Sequence, residues 1–199
     1  MASDAGFKIN DAGVRQALDK LRQSLPLTGS MAPAMQSMGR ALKTATQLRF
    51  RTTSAPDGGQ WKKSWRAQTG GGQTLSLTRR LRNSITFEST TNSVTVGTNV
   101  QYAAIHQFGG VVRAKNGPFL AIPVTPEARK AGSPRNMQGL HVQQTVKGQF
   151  VLANDKGVVQ YLLRKQVTIP ARPFLGVGPT DSVELVGIVE RFLKAGWPG

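Results

Sequence analysis

The sequence predicts an α+β fold: a small, mainly antiparallel sheet packed by a long N-terminal helix and a C-terminal helix, with a β-rich inserted arm. Three observations predict it. Apolar residues recur at helical spacing in long runs toward both ends of the chain. Short alternating apolar and polar segments lie between those runs. A stretch at about 111–168, rich in hairpin turn signals, interrupts them. The 199 residues read as one domain carrying that insertion, and a chain of this size can bury about 70% of its unfolded surface without staples.

Residues 11–25 read as an amphipathic helix, with Val14, Leu18, Leu21 and Leu25 on one face. Asn10 or Asp11 caps its start and Pro26 follows its end. A second helix is expected from Met31 to Arg51, with Ser30 as N-cap and Pro33 in the first turn. Its stripe is Met31, Met35, Met38, Leu42, Ala45 and Leu48. A methionine stripe suits core or subunit contact better than a cofactor box. Residues 52–72 read as loop, turning at Pro56-Asp57-Gly58-Gly59. Trp61 and Trp65, four apart, would share a face on a helical turn. Gly70-Gly71-Gly72 is no phosphate loop, because no Gly-Lys-Ser/Thr follows and no strand precedes. A short basic helix is expected near 77–84, with Leu77, Leu81 and Ile85 inward and Arg79, Arg80 and Arg82 outward.

Residues 85–100 read as a β-hairpin turning at Thr90–Ser93, and Tyr102–Phe108 as a short helix ended by Gly109-Gly110. In the insertion, Phe119–Ile122 is a strand and Pro126–Gly132 a helical turn. A meander follows at 141–146, 149–153 and 158–168, with turns at Lys147-Gly148 and Asn154–Gly157. In the last helix Asp181 and Glu184 have capping-box spacing. Leu185, Val186, Val189, Phe192 and Leu193 form its apolar face, and Gly196 and Pro198 stop it.

The formal net charge is +16. Between residues 20 and 87 stand Lys20, Arg22, Arg40, Lys43, Arg49, Arg51, Lys62, Lys63, Arg66, Arg79, Arg80 and Arg82, with Asp57 the sole acid. Such a field attracts nucleic acid or an acidic protein surface, and it also fits a solvated basic face. No zinc-finger spacing, basic zipper or aromatic ribonucleoprotein motif accompanies it, so any nucleic-acid binding is expected to be indifferent to sequence. No cysteine is present, which rules out disulfides and thiolate metal sites. No run reaches the ~20 apolar residues a membrane helix needs, and the first residues lack the features of a signal peptide.

Catalysis finds little support. His106 and His141 are the two histidines, and neither has a carboxylate at metal-ligand spacing. No serine lies in a Gly-x-Ser-x-Gly elbow. We assign no catalytic, cofactor-binding or metal-binding residue, and read His106 as a structural residue in an apolar stretch.

Two stretches stand out instead. One is Tyr102-Ala103-Ala104-Ile105-His106-Gln107-Phe108-Gly109-Gly110; the other is Ile169-Pro170-Ala171-Arg172-Pro173-Phe174-Leu175-Gly176. Two prolines make the second a stiff extended strap, shaped before docking. Tyr102, His106, Phe108, Arg172, Phe174 and Leu175 are expected to form one cluster, in the core or at a subunit interface. Arg172 would pair with an acid or with backbone carbonyls, and Phe174 would fill a pocket on the same or an adjacent subunit.

With Pro56-Asp57-Gly58-Gly59-Gln60-Trp61, Leu77-Thr78-Arg79-Arg80-Leu81-Arg82-Asn83-Ser84-Ile85 and Val94-Thr95-Val96-Gly97-Thr98, these motifs occur in an order that resembles the phage virion morphogenesis (tail completion) proteins of Mu-like and related tailed phages. The resemblance covers about residues 30–110 and 165–195. One departure is visible: the family motif reads Leu-Thr-Gly where this chain has Arg79. The resemblance implies a structural protein, not an enzyme, that completes the tail or neck so that head and tail join. It implies a homo-oligomeric ring, sixfold or twelvefold, around the DNA channel. Its partners would be tail-tube and neck or connector proteins, with nonspecific contact to genome DNA and none to a membrane. Its place would be the virion, reached by assembly in the host cytoplasm. The other reading is a sequence-nonspecific, basic nucleic-acid-binding protein.

Overall fold

The computed structural model describes residues 30–115 and 117–194. The helix expected at 11–25, the cations Lys20 and Arg22, and the stop at Gly196 and Pro198 lie outside the described residues. In chain order the elements are α1 (Ala32–Thr52), α2 (Trp65–Thr69), α3 (Arg80–Asn83), β1 (Thr86–Ser89), β2 (Val94–Gly97), α4 (Ala103–Phe108), β3 (Gly110–Arg113) and β4 (Leu120–Pro123). Then follow α5 (Pro126–Ala131), a 3-10 turn (Pro134–Asn136), β5 (His141–Gln144), β6 (Phe150–Ala153), β7 (Val159–Arg164), β8 (Gln166–Ile169) and α6 (Pro179–Lys194). This is an α+β chain with small antiparallel sheets. Its described residues divide into two compact units, one of residues 30–109 with 170–194, the other within residues 110–169.

In the first unit α1 starts at Ala32 with Pro33 in its first turn; Met31 rather than Ser30 is its N-cap, and the Ser30 hydroxyl accepts the Ala32 N–H at 3.2 Å from one position further out. Met35 and Met38 of α1 pack against Leu185 and Val189 of α6, flanked by Leu42, Ile188 and Leu193. Two stripe positions depart from expectation. Leu48 is 50% exposed and Val186 46% exposed. At 3.6 residues per turn the inner face of α1 passes through Leu42 to Arg49, and Arg49 is buried there instead of Leu48. In α6 the same geometry brings Ile188 to the contact.

The start of α6 also differs from the sequence reading. Pro179 takes the first helical position, where its missing N–H costs nothing, so Asp181 is the third helical residue rather than the cap. Its carboxylate reaches back to accept the Gly178 N–H at 2.6 Å, the role expected of Glu184.

The hairpin β1–β2 pairs Phe87 with Val96 and lies against α1 at Gly39. A Cβ on Gly39 would stand 2.2 Å from the Phe87 ring, so a side chain here would push the hairpin off. Ser64 caps α2 by accepting the Ala67 N–H at 3.3 Å. The helix therefore begins after Trp61, and the two tryptophans do not share a helical face: Trp61 is buried and Trp65 is 46% exposed. Leu81 and Ile85 point inward as expected, but Leu77 is 65% exposed because α3 begins only at Arg80.

In the second unit β3 and β8 form an antiparallel ribbon, from Gly110 opposite Ile169 to Arg113 opposite Gln166. The remaining strands form a sheet in the order β4-β7-β6-β5. The strand expected at 158–168 is thus two strands in two sheets, parted at Lys165. Both expected hairpin turns form: the Gly148 N–H reaches the Thr145 carbonyl at 2.8 Å, and the Asn154 side chain accepts the Val158 N–H at 2.9 Å. Thr125 caps α5 by accepting the Ala128 N–H at 3.1 Å. Tyr161, fully buried, donates its hydroxyl to the Ala128 carbonyl at 3.0 Å.

Candidate functional site

The proline strap lies in the first unit and creates a hydrogen-bonding problem. Pro170 and Pro173 carry no N–H, so the strap cannot join a regular ladder. Buried backbone groups still need partners. Side chains supply them.

Gln107 on α4 is the centre of the arrangement. Its Oε1 accepts the N–H groups of Phe174 at 2.9 Å and Leu175 at 3.0 Å, and its Nε2 donates to the Leu175 carbonyl at 2.8 Å. An amide is suited to this because it presents donor and acceptor together. Arg49 on α1 takes the next carbonyls: Nη1 donates to Phe174 O at 2.8 Å and to Gly176 O at 2.9 Å, and Nη2 pairs with the Asp181 carboxylate. Both members of that pair are buried. Burial lowers the Arg49 pKa, and the facing Asp181 charge and hydrogen bond oppose the shift. Trp61 Nε1 donates to Pro173 O at 2.8 Å. The Arg172 N–H reaches His106 O at 2.7 Å, and Arg172 Nε donates to Lys62 O at 2.8 Å.

The apolar side of the strap completes a core. Phe174 and Leu175 join Phe50, Trp61, Leu81, Ile85, Val100 and Ala103. The Phe174 ring lies 5.2 Å from that of Phe50, which meets Trp61 edge-on at 5.5 Å. Close approach continues at Gly178, where a Cβ would fall 1.7 Å from the Pro56 carbonyl oxygen. The Pro56 turn and the strap are therefore fitted to each other.

Not all of the expected cluster assembles. Arg172, Phe174 and Leu175 are buried, and Phe174 fills a pocket of its own chain. Tyr102 is 40% and Phe108 63% exposed, so neither is among the buried residues around Phe174; the inner positions of α4 are Ala103 and Gln107. His106 is half-buried, with its ring edge-on to Tyr102 at 5.9 Å. Its Nδ1 is buried without a hydrogen-bond partner. Burial first, and then the Arg172 charge, lowers its pKa, which favours a neutral ring.

The cations divide in the same way. Arg40, Arg51, Lys62, Lys63, Arg79 and Arg80 are exposed, and Lys43, Arg66 and Arg82 are half-buried. Arg66 is turned onto the carbonyls of Gly71 and Gln73. Arg49, expected on the basic surface, is instead a buried clasp residue. The role of Gln107 is one that the Tyr102–Gly110 motif does not announce. Two signals mark these residues: Arg49 continues the inner stripe of α1, and Gln107 is the amide facing a strap short of N–H groups.

The two signature stretches of this basic α+β protein meet in one clasp, through Gln107 of the first and Phe174 and Leu175 of the second. The chain matches the phage virion morphogenesis family over residues 9–194 and belongs to it. It is 39% identical over 121 residues to the Mu-like prophage FluMu G protein 2 of Haemophilus influenzae, an alignment covering 60% of this chain and 80% of that protein. No solved structure matches the chain. The protein is thus a structural component of phage morphogenesis.

Proposed function

We propose that the protein completes the tail or neck so that heads and tails can join, acting as a homo-oligomeric ring, sixfold or twelvefold, around the DNA channel. It would contact tail-tube and neck or connector proteins there, after assembling in the host cytoplasm. The observation that carries this reading is family membership across nearly the whole chain. Turnover plays no part in the role.

A phage null in this protein is expected to accumulate unjoined heads and tails, or tails of uncontrolled length. A virion reconstruction should show it in multiple symmetric copies at the tail or neck. One copy per virion, or none, overturns the ring. The second reading, sequence-indifferent nucleic-acid binding, is favoured by the exposed cations of α1 and α3.

A further inference from the structure

We propose that one face of the first unit, built from Arg40, Lys43 and Arg51 of α1 and from Arg79, Arg80 and Arg82 around α3, binds the backbone phosphates of duplex DNA. It does not depend on ring formation.

Helical geometry makes the first half of the face. Arg40, Lys43, Gln47 and Arg51 follow at intervals of three or four, so they share one stripe. That stripe lies opposite the buried Met35, Met38 and Arg49. Arg40 to Arg51 spans about 16 Å at 1.5 Å per residue. Duplex DNA carries a charge every ~1.7 Å of its axis, so a row of this length faces several phosphates.

Three hydrogen bonds lay the second half beside it. Gln73 Nε2 donates to Arg51 O at 3.0 Å, Ser76 Oγ to Phe50 O at 3.4 Å, and Gln47 Nε2 to Arg82 O at 3.3 Å. Residues 73–82 therefore run back along the C-terminal part of α1. Among the described residues, no carboxylate lies within ion-pair distance of any of the six cations. The two ion pairs there are Arg49–Asp181 and His141–Asp155.

Arg79 is an independent sign. It sits at φ 58° and ψ 6°, in the left-handed region, where a residue with a Cβ is disfavoured by about 1–2 kcal/mol and glycine is not. Thr53 and Leu75 share this conformation, but of the three only Arg79 places a charge on the cationic face, and a strained position held by a cation there points to a use for it. The row carries no aromatic anchor; Leu48 and Leu77 are its exposed aliphatic neighbours. Arginine serves protein interfaces as well as phosphates, but protein interfaces centre on buried apolar plugs; a row of six cations without a paired carboxylate matches the closely spaced phosphates of a duplex better.

The test measures binding of the full-length protein to a random-sequence DNA duplex across a salt series, with polyglutamate as the competing polyanion. Each phosphate contact adds about 0.9 to the slope of log affinity against log salt. Reversal of Arg40, Lys43 and Arg51 to Glu should cut the slope by about 2.7. Reversal of Lys130, Lys147 and Lys156, exposed in residues 110–169, makes the same charge change and should leave the slope in place. Arg79→Gly should lower the slope by about 0.9 while holding or raising the melting temperature, which keeps the test valid if the triple variant fails to fold. Equal losses in both triple variants, no binding at about 50 mM salt, or tighter binding of polyglutamate than of duplex would each overturn the proposal.

Discussion

The strap clasp and the β5–β6–β7 meander solve the same problem in opposite ways. The meander satisfies its backbone locally. Each of its strands pairs with the next in sequence, and its turns are closed by Asn154 and by the Thr145–Gly148 bond; within residues 110–169 the long-range pairings are β4–β7 and β3–β8. The clasp joins residues far apart in sequence: Gln107 with Leu175, Trp61 with Pro173, Arg49 with Asp181. Closing such loops costs more chain entropy, though the cost grows slowly with length. In return, each clasp residue ties distant segments together. A lesion in the clasp should therefore loosen its whole unit, whereas a lesion in a turn of the meander should stay local.

The largest expected effect is at Arg49. Arg49→Ala leaves Asp181 buried without its partner, at a cost of about 3–5 kcal/mol, and two strap carbonyls without donors, at about 1–3 kcal/mol each. Thermal unfolding should show the loss, and a shift of under ~1 kcal/mol would break the comparison. Phe174→Ala belongs to the same class, at about 3–5 kcal/mol. Because its pocket is internal, it should give unstable protein rather than folded subunits that fail to assemble.

Gln107→Ala should come next. It leaves two N–H groups and a carbonyl buried without partners, each worth about 1–3 kcal/mol. Gln107→Glu sharpens the point, since it keeps the acceptor for Phe174 and Leu175 but loses the donor to the Leu175 carbonyl. In the second unit, Thr125→Ala removes the α5 cap, at about 1 kcal/mol, and the hydrogen bond to the buried Gln160 side chain, at about 1 kcal/mol more. Hydrogen exchange should place that loss within residues 110–169; faster exchange in the clasp would contradict the contrast.

The smallest effect is pH-dependent. His106 has a lowered pKa in the fold, so below its ordinary value of 6.5 the unfolded chain takes up a proton that the folded chain resists. The stability held above pH 6.5 should decline as pH falls from there through the lower folded pKa. His106→Gln should flatten that part of the stability–pH curve, and an unchanged slope would show that His106 is not its source.

The contrast also explains what could be read from the sequence. Periodicity placed α1, α6, the β1–β2 hairpin and the hairpins of the meander, because those depend on spacing and turn residues within a short window. The proline strap was legible as stiff, and Phe174 and Leu175 as its buried plug. What holds the strap was not legible, since sequence order says nothing about which amide meets which carbonyl across the chain. Arg49 was misplaced by its charge: cations are mostly exposed, and only its position on the inner stripe argued otherwise. Tyr102 and Phe108 do not lie in the core, because the turn of α4 gives its inner positions to Ala103 and Gln107 instead. Arg79 was visible as a departure from glycine, and the left-handed backbone gives that departure its physical meaning.

The most direct test of the account is hydrogen exchange at the Phe174 and Leu175 amides, followed as the protein is diluted. Both N–H groups are bonded to Gln107 of the same chain. Their protection should be strong, independent of protein concentration, and lost in Gln107→Ala. Amides that exchange freely in dilute protein and become protected only on assembly would contradict it, and would mean that the strap closes between subunits.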